Sequence, residues 1–152
     1  MTKVLIATYS QTGRTQAVAD QLAELLPDAD QFAINVPADT FPADMYKTSD
    51  VAKAQINNND YPALTGNLPD LSQYDVILVG SPVWSGAPAT PIHTFLDQIH
   101  GFTGKVAPFY TDAGAAGDFE GKFRQWAKEL QVLPGHENSR GLEAWVRQIA
   151  SD

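Results

Sequence analysis

Residues 9–15 read Tyr-Ser-Gln-Thr-Gly-Arg-Thr, and three hydroxyls around one glycine are the chemistry of an anion cradle. Ser10, Thr12 and Thr15 can each donate to a phosphate oxygen, while Gly13 lets the backbone approach without a Cβ in the way. The segment follows the apolar run Val4-Leu5-Ile6-Ala7 and precedes a stretch of helical period. A buried strand that turns into a helix in this way leaves unpaired N–H groups facing one concavity. Arg14 is the only basic residue here, and no lysine stands where a GxxxxGK[ST] nucleoside-triphosphate loop requires one. That suits a single terminal phosphomonoester. The same residue types also cap helices without any ligand, so the loop by itself leaves both readings open.

Two more stretches could serve the same ligand. Ser81-Pro82-Val83-Trp84-Ser85-Gly86-Ala87-Pro88 sets an aromatic ring on a turn between prolines with small neighbours, which predicts a displayed ring rather than a core one. Thr111-Asp112-Ala113-Gly114-Ala115-Ala116-Gly117 is so poor in side-chain volume that a flat group could lie against its backbone. Together the three stretches imply a ligand with a phosphate at one end and a planar ring at the other. Asp112 reads either as a loop cap or as a charge beside that ring.

These stretches need elements to hold them. Apolar runs alternate with helix-period segments along the chain, which predicts βα units on a parallel sheet covered on both faces. Strands are expected at about 3–9, 31–36, 74–80 and 105–111, with a short edge strand near 131–133 ahead of Pro134. Helices are expected at about 13–26, 42–56, 88–99, 118–130 and 140–149. In such doubly wound sheets the ligand lies beyond the carboxyl ends of the strands, where strand order reverses, so all three loops should face one crevice. Trp126 and Trp145 fall on apolar helix faces and are expected in the core. His93, His100 and His136 lack the spacing of a metal site and read as surface or capping residues.

At 152 residues the chain is the length of one domain, expected to run 1–152. The absence of cysteine excludes disulfides, thiolate catalysis and Cys-ligated metals, so redox chemistry would need a borrowed cofactor. A formal charge of −8 disfavours nucleic acid and anionic membranes as partners and would steer the protein toward a basic protein face. No segment approaches the roughly 18 apolar residues of a spanning helix, nor a signal peptide, and a cytoplasmic location is expected.

The chain resembles the flavodoxins, and more closely the small flavodoxin-like proteins of bacteria. Ser10, Thr12, Gly13 and Thr15 match the [ST]-x-T-G-x-T loop of that family, with Gln11 and Arg14 at the variable places. Tyr74-Asp75-Val76-Ile77-Leu78-Val79-Gly80-Ser81-Pro82-Val83-Trp84 matches its YDxIxxGxPxW strand and loop; Phe95-Leu96, Gly104-Lys105, Gly141 and Trp145 also fit. The resemblance implies a flavodoxin-like fold, a doubly wound five-stranded parallel sheet of order 2-1-3-4-5. It further implies FMN, with its phosphate on Ser10, Gln11, Thr12, Gly13, Arg14 and Thr15. The isoalloxazine ring would lie against Pro82, Val83, Trp84, Ser85 and Gly86, with its far edge near Thr111, Asp112, Ala113 and Gly114.

Two departures stand out. The third loop has no tyrosine to close a ring sandwich, which would leave one ring face open. Gln55 and Tyr61-Pro62 stand where the small group carries a Glu and an Arg-Pro, and Tyr61 could instead reach the flavin. The function expected is a non-covalent FMN electron carrier that docks redox partners through an acidic surface. The alternatives are an FMN-dependent NAD(P)H:quinone-type oxidoreductase and an interaction module that has lost its flavin.

Overall fold

The computed structural model describes residues 3–11, 13–38, 40–42, 44–112, 114 and 116–150. The β-branched and leucine-rich runs form the centre of one sheet: β1 (Val4–Thr8), β3 (Val76–Trp84) and β5 (Lys105–Thr111) lie side by side and parallel. β2 (Asp30–Ala33) flanks β1, while β6 (Gln131–Val132) and β7 (His136–Glu137) both flank β5. The path β2-β1-β3-β5-β6 is the expected order 2-1-3-4-5. The strand count differs from the five expected, because among the described residues the sheet has seven segments.

Both extra segments have local causes. The fifth position is split: Val106 pairs with Val132 and Phe109 with His136, so three steps along β5 oppose four along the edge. That extra residue is a bulge at Leu133-Pro134-Gly135, where proline has no N–H to give the ladder. The other addition is β4 (Ala87–Pro88), which pairs antiparallel with the end of β3 through Val83–Pro88 and Trp84–Ala87. The strand expected to stop at Gly80 therefore continues to Trp84, and the stretch read as a loop is a hairpin.

Side chains alternate across the sheet as the pleat requires. Val4, Ile6, Val76, Leu78, Ala107 and Phe109 pack beneath α1 (Arg14–Leu25) and α5 (Leu142–Ala150), with Trp145 buried among them. Leu5, Ala7, Ile77, Val79 and Val106 face the core shared with α3 (Thr90–Gln98) and α4 (Phe119–Ala127), where Trp126 lies. Both tryptophans occupy the core as expected. α2 (Met45–Asn57) starts on Asp44, whose carboxylate accepts from the Tyr46 and Lys47 amides. Among the described residues no helix is long and apolar enough to cross a membrane.

Candidate functional site

The first loop caps a helix and leaves amides without a partner among the described residues. Ser10 Oγ accepts from the Gly13 amide at 3.1 Å and the Gln16 amide at 3.2 Å. Its hydroxyl proton remains available to a ligand. Gly13 takes the left-handed conformation, φ 92°, as N-cap of α1 with no atom near its Cβ position; a β-branched residue would be strained there. The Arg14 and Thr15 amides open the helix and donate to no described residue. Helix starts of this form attract anions through orphan N–H groups and the helix dipole.

Three side chains of this loop are tied to other elements. Gln11 Nε2 donates to the Pro42 carbonyl at 3.1 Å and to Thr48 Oγ at 3.2 Å, anchoring the start of α2. Arg14 Nη2 donates to the Asp112 carbonyl at 2.9 Å. Thr15 and Thr111 place their hydroxyl oxygens 2.8 Å apart, both residues buried. Thr111, at the end of β5, thus lies against the first turn of α1. Thr12 and Ala113, both expected in the site, lie outside the described residues.

The second stretch corrects an expectation. Ser85 (φ 54°) and Gly86 (φ 79°) form the two-residue turn between β3 and β4, and two positive φ angles fit the twist of a tight hairpin. That turn folds Trp84 inward. Trp84 is 5% exposed and its ring meets Tyr9 edge-on at 5.7 Å and Phe41 at 4.9 Å between centroids, so it is not the displayed ring the sequence led us to expect. Pro82 and Val83 remain partly open, and Ser85 is exposed on the hairpin tip, 2.7 Å from the Ser49 hydroxyl of α2. Gly86 packs backbone to backbone on Gly117 of the third loop: a Cβ on Gly117 would stand 2.7 Å from the Gly86 Cα.

The third loop carries the charge. Asp112 is buried, and its amide donates to Asn138 Oδ1 at 3.0 Å while its own Oδ1 accepts from the Gly114 amide at 2.7 Å. Burial pushes its carboxyl up. The Glu137 carboxyl, the Gly114 and Asn138 donors and the Arg14 charge together outweigh burial and hold Asp112 below the usual range. Glu137 moves the other way, raised because it bonds and faces Asp112. Gly114 is exposed.

Three buried polar atoms without a described partner sit at this end of the sheet: Thr8 Oγ, Gln11 Oε1 and Trp84 Nε1. Leaving such a group unpaired costs about 1–3 kcal/mol, so a polar ligand or ordered water suits the place. A separate cavity of about 300 Å³ runs along α1, between Arg14, Ala17, Val18 and Gln21 on one side and Thr111, Asp112, Asn138 and Ser139 on the other. Tyr61 takes no part in this cluster: it stacks on His93 with centroids 3.6 Å apart and meets Trp126 edge-on. Burial lowers the pKa of His93. Gln55 Oε1 accepts from Thr90 at the start of α3. Phe41, Thr48, Asn138 and Glu137 were missed by sequence reasoning, since each is brought in by tertiary packing with no local motif.

A family model described as Flavodoxin matches residues 3–149. A flavoprotein from Lactobacillus acidophilus NCFM, solved in complex with FMN, is 40% identical with a TM-score of 0.90 over 96% of this chain and 99% of that one. The flavodoxin of Megasphaera elsdenii, at 18% identity and a TM-score of 0.54 over 91% of this chain and 88% of that one, shares the fold. An NAD(P)H dehydrogenase (quinone) from Bradyrhizobium diazoefficiens is 34% identical over 107 residues, 70% of this chain and 51% of that protein. The chain spans about half the length of the curated relatives it matches.

Proposed function

The chain belongs to the flavodoxin family, and on that premise we propose that it holds FMN non-covalently at the carboxyl ends of its strands and carries electrons between partner proteins. The observation that carries this reading is the first loop. Ser10 Oγ gathers two amides, the Arg14 and Thr15 amides donate to no described residue, and a single arginine supplies the positive charge. One phosphomonoester is what that donor set would satisfy. The FMN complex of the relative from Lactobacillus acidophilus, so alike over nearly the whole chain, supports the same ligand. The hairpin 82–86 and the third loop, joined at Gly86 and Gly117, would border the ring.

FMN supplies the reversible redox chemistry that a chain without cysteine lacks. The protein's own part is to bind and to set the field. The Ser10 and Thr15 hydroxyls with the Arg14 and Thr15 amides would hold the phosphate, and the Asp112 carboxylate would add negative charge near the ring end, disfavouring a more anionic reduced cofactor. Around the loops, Asp44, Asp50, Asp118 and Glu137 are exposed against Arg14 and Lys47, an acidic excess that favours a redox partner with a basic face.

The second reading is an NAD(P)H:quinone oxidoreductase, favoured by the names of the curated relatives and by a third loop without an aromatic cover. A visible absorption spectrum of the purified protein tests the cofactor, with flavin bands expected and a colourless protein unable to take up FMN contradicting it. NADH or NADPH with a quinone then separates the readings. A carrier stays idle without an added reductase, whereas rapid oxidation unaided would favour the enzyme.

A further inference from the structure

We propose that Thr111 is the positioning residue that aims the Thr15 hydroxyl at the cofactor phosphate. The inference rests on the FMN reading and goes beyond it, because Thr111 touches no phosphate itself. Thr15 is the second residue of α1 and is 1% exposed, while Thr111 ends β5 and is 7% exposed. Their hydroxyl oxygens are 2.8 Å apart, and neither hydroxyl has another described partner. A threonine side chain turns about one stiff χ1 torsion, so a buried hydrogen bond to a fixed partner sets where its hydroxyl sits. The bond to Thr111 supplies that fixed partner for Thr15.

The pair also fixes which proton is free. A hydroxyl has one hydrogen and two lone pairs, so a Thr15 hydroxyl that donates to Thr111 has no proton left for phosphate. When Thr111 donates instead, the Thr15 proton is released toward the anion and the two bonds polarise one another. Thr111 can hold this role because its backbone is fixed: it pairs with Pro82 in the ladder, and Arg14 grips the next carbonyl, that of Asp112. The end of β5 thereby tunes a donor that belongs to α1.

The test compares FMN with riboflavin, which lacks the phosphate, in titrations of flavin-free wild type, Thr111→Val and Thr111→Ser. The preference for FMN over riboflavin should fall about tenfold in Thr111→Val, the effect of one charge-assisted hydrogen bond. Riboflavin affinity should stay within about twofold, and serine should restore the preference. Equal weakening of both flavins, or a serine variant no better than valine, would assign Thr111 a merely structural role and overturn the inference. A preference kept intact in Thr111→Val overturns it as well. If the valine variant does not fold, Thr111→Ala carries the same comparison. A wild type that binds both flavins alike, or neither, defeats the FMN reading and this inference together, whereas a wild-type preference that survives the substitution defeats this inference alone.

Discussion

At the end of the cleft proposed to take the phosphate, the contacts are hydrogen bonds. Ser10 holds the Gly13 and Gln16 amides, Thr15 meets Thr111, and Arg14 reaches the Asp112 carbonyl. At the hairpin end they are rings and bare backbone, with Trp84 between Tyr9 and Phe41 and Gly86 lying on Gly117. Directional bonds make one end a cradle of set shape, specific for an anion. Apolar packing makes the other a wall whose shape depends on how its neighbours settle. Specificity should therefore concentrate at the phosphate end and stability at the hairpin end.

The largest effect expected is at Trp84. If it is a core residue, Trp84→Ala should lower the unfolding free energy of the flavin-free protein by about 3–5 kcal/mol, read from a urea denaturation midpoint. Unchanged stability with FMN affinity lost would break the contrast and make Trp84 a displayed stacking ring. Next comes Gly13→Val, which puts a β-branched residue at φ 92°. Disturbing two charge-assisted hydrogen bonds, each about 1.5–3 kcal/mol, should weaken FMN binding by about a hundredfold or more while riboflavin suffers far less. An FMN preference that survives would place the phosphate elsewhere.

Smaller effects probe the third loop, where the two ends meet. Removing the Asp112 charge with Asp112→Asn should raise the midpoint potential of the bound cofactor, by on the order of 1 kcal/mol in favour of the reduced form. A potential that fails to rise would put Asp112 out of reach of the ring. The smallest concerns Glu137, raised in the fold by its bond with Asp112. A carboxyl whose folded pKa is raised contributes stability below its ordinary value of 4.5 and loses that contribution as pH climbs through the folded value. Asp112, held low, runs oppositely, its contribution present above the ordinary range and lost in acid. Denaturation midpoints taken upward from about pH 4 should fall slightly through the Glu137 titration, and Glu137→Gln should remove that fall. Identical profiles for the two proteins would mean that the carboxyl pair is not formed.

The contrast also explains what was legible in the sequence. Strand order and the phosphate loop depend on neighbours in the chain: apolar runs, a glycine with positive φ, hydroxyls within six residues. Val76-Ile77-Leu78-Val79 and the helical faces carrying Phe123, Trp126 and Trp145 could be read for the same reason. Trp84 could not, because its burial depends on Phe41, more than forty residues earlier, and on a hairpin turn whose Ser85 adopts a positive φ. β7 was hidden behind the bulge at Pro134, and the partnership of Asp112 with Glu137 and Asn138 exists only once β7 lies beside β5. Arg14 was legible as the one base of the loop, but not that the third-loop carbonyl would hold it.

The most direct test of the central claim is a titration of the flavin-free protein with FMN and with riboflavin under the same conditions, followed by flavin fluorescence. The account predicts one FMN bound per chain with an affinity far above that for riboflavin, because the phosphate cradle at residues 10–15 supplies the difference. Equal affinities for the two flavins, or no binding of either, would contradict it.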